Sequence, residues 1–137
     1  MTYSEIMAML TETGLPFAYD HFAEGESPEP PFLLFLFPGT NNFIADGITY
    51  AQITEVSVEL YTDEKYPPLE KCLEDVFAAH DQPWDKSETW IGEEKLYEVL
   101  YEFSVLFEPE DEPEEESEDN EKATDDSENP NSDTGGN

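Results

Sequence analysis

The sequence predicts an α+β domain, with two helices packed on one face of a mainly antiparallel sheet of four to five strands, and a disordered acidic tail after it. Three observations predict this. Two segments carry apolar residues at helical spacing, and four to five others alternate or run apolar between turn signals. All 18 aromatic residues, moreover, lie before residue 109. Residues 1–108 are therefore expected to form the domain and residues 109–137 the tail.

The elements follow in order. Thr2-Tyr3-Ser4-Glu5 has the capping-box pattern, in which a threonine oxygen and a glutamate carboxylate each satisfy an orphan backbone N–H. Tyr3, Ile6, Met7 and Leu10 then share one helical face. Gly14 and Pro16 end this helix, which is expected over about residues 3–13. Residues 15–22 are apolar and aromatic enough for a strand, though they alternate poorly. Residues 23–31, with Pro28, Pro30, Pro31 and three glutamates, form a loop. The six apolar residues 32–37 between prolines read as a strand buried on both faces. Pro38-Gly39-Thr40-Asn41-Asn42 and Asp46-Gly47 are turn signals bracketing an excursion that carries Phe43 and Ile44.

Residues 50–62 alternate well: Val56, Val58 and Leu60 share one side, Glu55, Ser57 and Glu59 the other. Pro67-Pro68 suits the first turn of a second helix. Leu69, Cys72, Leu73, Val76, Phe77 and His80 form its apolar face, and Pro83 lies beyond its end. Residues 84–91 are a shorter strand, with a turn at Gly92-Glu93. Residues 95–107 make the clearest strand, with Tyr97, Val99, Tyr101, Phe103, Val105 and Phe107 on one face. Leu96, Val99, Leu100 and Phe103 also fit helical spacing, but the aromatic and β-branched content favours the strand.

Charge excludes several functions. The chain has 35 acidic residues against 5 lysines and no arginine, a net charge of −30. The domain carries 22 acids and 4 lysines, the tail 13 acids and 1 lysine. Binding to nucleic acid through phosphate neutralisation needs clustered basic residues, which are missing. The longest apolar run has 6 residues, where a membrane span needs about 20. The first residues have neither a basic nor an apolar signal region, so no secretory leader is expected. Cys72 is the single cysteine, which excludes an internal disulfide and a multi-thiolate zinc site and fits a reducing compartment.

Catalytic chemistry finds little support. His21 stands beside Asp20 and His80 beside Asp81, but their spacing fits no metal motif, and His80 suits the end of a helix dipole. There is no phosphate-binding glycine loop and no serine elbow, and Cys72 is expected on the buried face of the second helix. Neither enzyme activity nor a cofactor or metal is expected. The run Glu114-Glu115-Glu116 lacks the glycine and the offsets of a calcium loop and reads as solvated, with contact to a basic partner as the alternative. Trp84 and Trp90 share strand parity and suit either the core or an interface. Asn41, Asn42, Phe43, Ile44, Asp46 and Gly47 form a candidate interface loop, unless the excursion folds back onto the core. Glu55, Glu59, Glu98 and Glu102 would all point from the sheet face that the helices leave open. Such a face is either simply solvated or, in a ring-forming protein, the lining of a lumen.

Several short patterns add a resemblance. They are Asp20-His21-Phe22, Ser27-Pro28 with Pro30-Pro31-Phe32, Asn42-Phe43 with Ala45-Asp46-Gly47, residues 58–63 (Val-Glu-Leu-Tyr-Thr-Asp) with Lys65, and residues 94–99 (Glu-Lys-Leu-Tyr-Glu-Val). In these, residues 1–108 resemble the tail terminator, or tail completion, proteins of long-tailed phages and prophages of Gram-positive bacteria. The acidic extension departs from that pattern. The resemblance implies a two-layer subunit that assembles into a ring, expected to be a hexamer. The ring caps the tail tube, stops its growth and docks the head connector. It also implies a place in the neck of a virion assembled in the host cytoplasm, with the tail tube protein and the connector as partners. DNA would then be only passing cargo, which an acidic lining of Glu55, Glu59, Glu98 and Glu102 would not hold. Two rival readings stay open: a small acidic mimic of DNA that blocks a nucleic-acid-binding protein, and another head–tail joining protein of the neck.

Overall fold

In a computed structural model the described residues are 1–108. The acidic segment 109–137, and with it the expectation of disorder, lies outside them. The fold is α+β, two helices and a mixed sheet, with element order α1 (Tyr3–Thr11), β1 (Phe17–Tyr19), β2 (Phe32–Thr40), β3 (Phe43–Ala45), β4 (Ile48–Ala51), β5 (Ile53–Thr62), α2 (Pro67–Ala79), β6 (Asp85–Ile91) and β7 (Leu96–Leu106). The five-stranded sheet has the order β1-β2-β5-β7-β6, and β3-β4 form a separate two-stranded ribbon. Every pair is antiparallel except β1 with β2.

The capping box forms as read. The Thr2 hydroxyl accepts from the Glu5 N–H at 3.1 Å, and the Glu5 carboxylate accepts from the Thr2 N–H at 2.9 Å. Both helices pack on one face of the sheet. Ile6, Met9 and Leu10 of α1, and Leu73 and Phe77 of α2, join Leu33, Phe35, Val56, Val58, Leu60, Val99, Tyr101, Phe103 and Val105 in one core. Phe77 lies edge-on to both Tyr101 (5.4 Å) and Phe103 (5.3 Å). Burying side chains of this size is the main stabilising term of the fold.

The structure corrects four expectations. Cys72 is exposed. At about 100° per residue it stands some 130° from the direction shared by Glu70, Leu73 and Phe77, the residues α2 buries. Residues 32–37 are not buried on both faces: Leu34 and Leu36 are half-buried because no helix covers their side. The strand expected over 15–22 shrinks to three residues and runs parallel to β2. The strand expected from residue 50 is split, since β4 ends at Ala51 and β5 starts at Ile53.

Candidate functional site

The open face of the sheet is where the sequence-derived residues meet. In the ladder Glu55 lies opposite Gly39 and Ser104, Glu59 opposite Leu34 and Leu100, Glu98 opposite Tyr61 and Thr89, and Glu102 opposite Ser57 and Asp85. All four glutamates thus share the face turned away from the helices, where period-two alternation puts them. No two of them are directly opposed. Glu59 and Glu98 are diagonal neighbours, about 7–8 Å apart along the ladder, and their long side chains still meet at Tyr61. Asp85 joins them as a fifth acid that the sequence reading left out, although its alternation with Ser87 and Thr89 was a usable sign. None of the lysines of the described residues stands at a strand position on this face.

Two parts of the face differ. At the end of the sheet from which the β3–β4 ribbon leaves, Glu55 and Glu102 are exposed and line a shallow groove of about 260 Å³ with Pro38, Ser57, Asp85 and Ser104. Toward the other end, Glu59 and Glu98 are half-buried around Tyr61. The Tyr61 hydroxyl donates to Glu59 Oε1 at 2.9 Å and lies 3.3 Å from Glu98 Oε2, while Phe32 stacks on its ring. Burial pushes the Glu59 carboxyl above its usual range. The bond from Tyr61 lowers it by less, and the charges of Glu98 and Asp20 add to the rise. Burial, then the bond and charge of Glu59, push the Tyr61 hydroxyl upward. A tyrosine that stays protonated has one O–H to give; Glu59 is the nearer acceptor and Glu98 the more distant neighbour of the same hydroxyl.

The second candidate segment is a projecting arm. After β2 the Asn41 N–H donates to the Ile53 carbonyl (2.8 Å), and Asn42 Oδ1 accepts from the Ile53 N–H (3.2 Å). Beyond these bonds β3 and β4 pair only with each other. Asp46 and Gly47, at φ 54° and 75°, make the two-residue turn with both centres left-handed that suits strand twist. The expected loop is therefore a hairpin, and its apolar residues are largely exposed: Phe43, Ile44 and Ile48 at 60%, 59% and 56%.

The other candidates fall apart from this face. His21 bonds its neighbour Asp20 at 3.0 Å on the surface. His80, at the end of α2, reaches Glu12 at the end of α1 at 3.0 Å and joins the two helices. Among the described residues no three His, Cys, Asp or Glu side chains come together to hold a metal ion. Trp84 is half-buried and edge-on to Tyr101 (5.4 Å), whereas Trp90 is 51% exposed beside Tyr97.

Sequence reasoning missed an ion network on the helix side, built on one buried acid. Glu70, only 3% exposed, accepts from Lys65 at 2.7 Å and Lys86 at 2.8 Å. Lys86 also reaches Glu74 (2.6 Å), and Lys65 reaches Glu88 (2.5 Å). The Tyr101 hydroxyl donates to Glu74 at 2.7 Å. The sign was Glu70 among the apolar positions of an amphipathic helix, where an acid needs a partner. Lys65 and Lys86 are thereby committed to acids, which leaves the surface more negative still.

Comparison with protein-family models gives no match to this chain, and comparison with curated proteins gives no significant one. Among the described residues no helix is long and apolar enough to cross a membrane.

Proposed function

We propose that this chain is a structural subunit of a phage tail neck, a tail terminator whose copies form a ring, hexameric by resemblance, that caps the tail tube and meets the head connector. The observation that carries the reading is the open sheet face: four glutamates and Asp85 held on a rigid ladder, with the helices on the opposite side. A lumen lined this way repels phosphate and passes DNA without retaining it. The exposed apolar arm supplies a contact surface outside that lining. The subunit does no chemistry in this role and needs no cofactor. Its place is the virion neck, after assembly in the bacterial cytoplasm.

Size-exclusion chromatography with light scattering on the full chain, followed by negative-stain microscopy, tests the reading. Rings near six subunits are expected. Changing Glu55, Glu59, Glu98 and Glu102 together to glutamine should leave the rings intact and alter DNA retention or ejection in assembled particles. Loss of assembly in that variant would make the acids interface residues and end the lumen idea. A monomer that captures a basic nucleic-acid-binding protein would instead establish the DNA mimic.

A further inference from the structure

The exposed large apolar side chains sit mainly at the two ends of the sheet. At the end where β2 passes into the arm stand Phe43, Ile44, Ile48 and Leu106, each more than half exposed. At the far end, where β5 leads into α2 and β6 turns into β7, stand Tyr66 (56%) and Trp90 (51%). A two-stranded ribbon is marginal on its own in water, and one that shows three large apolar residues at its end needs a cover.

Charge selects the cover. Residues 38–53 carry a single charged side chain, Asp46, in a domain with 22 acids. A basic partner gains most on the acidic sheet face and little from an arm with one acid. A second copy of this strongly negative domain is repelled by almost every other surface, and an acid-poor arm is where it can approach. The far end offers a seat. A cleft of about 180 Å³ opens between Pro31, Thr62, Tyr66 and Leu69, with Asp63 and Glu64 also lining it. That is below the usual size of a small-molecule site, roughly 300 Å³ and upward, and suits one apolar side chain as an anchor.

We infer that the arm of one copy docks, with Ile44 as its anchor, into the Pro31–Tyr66–Leu69 cleft of the next copy. The inference rests on the ring reading and names its subunit contact. Donor and seat lie at opposite ends of the strands, so the contact is head-to-tail, the kind that closes a ring when the rotation per copy allows. It also brings Asp46 toward Asp63 and Glu64. Association is therefore tightened by salt, which screens this repulsion, whereas binding of a basic partner is weakened by it.

Sedimentation velocity of the full chain at 50 and 500 mM NaCl, together with pairwise cross-linking, tests this. Oligomers are expected to strengthen at high salt. Phe43→Ser with Ile44→Ser should raise the dissociation constant at least tenfold while leaving the far-UV circular dichroism unchanged. With Cys72→Ser as background, Ile44→Cys chains mixed with Tyr66→Cys chains should form a disulfide, and neither should do so alone. Rings that persist in the Ser variant, or Ile44→Cys chains that cross-link to themselves, would overturn the arm contact and leave the ring reading standing. A wild-type chain that is monomeric at both salts would overturn the ring reading as well.

Discussion

Glu59 and Glu70 are two half- to fully buried acids of one fold, and they titrate in opposite senses. For Glu70 burial favours the neutral acid, but the hydrogen bonds and charges of Lys65 and Lys86 outweigh it and hold the carboxyl below its usual range. Its contribution to stability is present above the unfolded-state value of about 4.5 and is lost as pH falls through the lower folded-state value. For Glu59 the folded-state value is raised. Its contribution is complete below the unfolded-state value and is lost as pH rises through the raised one. Stability should therefore climb as pH drops from 7 toward about 4.5 and decline below it. Urea midpoints across that range check this, and Glu59→Gln should flatten the upper limb by removing its titration. Glu70→Gln leaves two lysines without their shared carboxylate. A loss of about 1.5–3 kcal/mol is expected at pH 7, the worth of hydrogen bonds to a charged group. A variant as stable as the parent would show that Lys65 and Lys86 find Glu88 and Glu74 sufficient.

At the scale of elements, the core and the arm should respond separately. Phe77→Ala removes the α2 side chain that meets Tyr101 and Phe103, and about 3–5 kcal/mol of global stability should go with it. Gly47→Val puts a β-branched residue at φ 75°, a conformation such residues strongly avoid. Because β3 and β4 share no ladder with the main sheet, the damage should stay local. Amide exchange should speed up in the ribbon, while the urea midpoint of the domain moves little. The same division shows what the sequence made legible. Alternation over Val56–Val58–Leu60 and Tyr97–Phe107 located the two longest strands and their acidic face, since register there follows directly from period two. The capping box located α1. The arm was visible only as turn signals, because its strands are too short to alternate convincingly, and the Asp46-Gly47 pair was the stronger clue. The parallel β1–β2 pairing and the Glu70 network rest on contacts distant in sequence, between residues 17 and 33 and between 70 and 86, for which local periodicity carries no information. Cys72 was misplaced because it fits an i, i+3, i+4 series while lying off the centre of the buried stripe.

For the whole molecule, the distribution of charge matters more than its sum. A chain of net charge −30 repels polyanions whatever its fold, so failure to bind DNA says little about the sheet face. Reversing that face alone is more telling. Glu55→Lys, Glu59→Lys, Glu98→Lys and Glu102→Lys in one chain change the net charge by only eight, and the chain remains strongly acidic. If the face is positioned to meet passing DNA, four lysines on one ladder create a local basic patch and DNA binding appears, because neighbouring phosphates lie within reach of a rigid array. Its affinity should fall with salt with a log–log slope of about −3 to −4 per subunit engaged, as expected for up to four neutralised phosphates. The lysines at positions 59 and 98 flank a half-buried tyrosine, so a companion with only Glu55→Lys and Glu102→Lys, both exposed, separates misfolding from misreading. That pair should bind with about half the slope and an unchanged unfolding midpoint. Binding by an assembled ring, but none by dispersed subunits, would place the face at the lumen, where several copies act on one duplex. Binding of equal strength by both would put the acids on an outer surface and remove their proposed role in the passage of DNA.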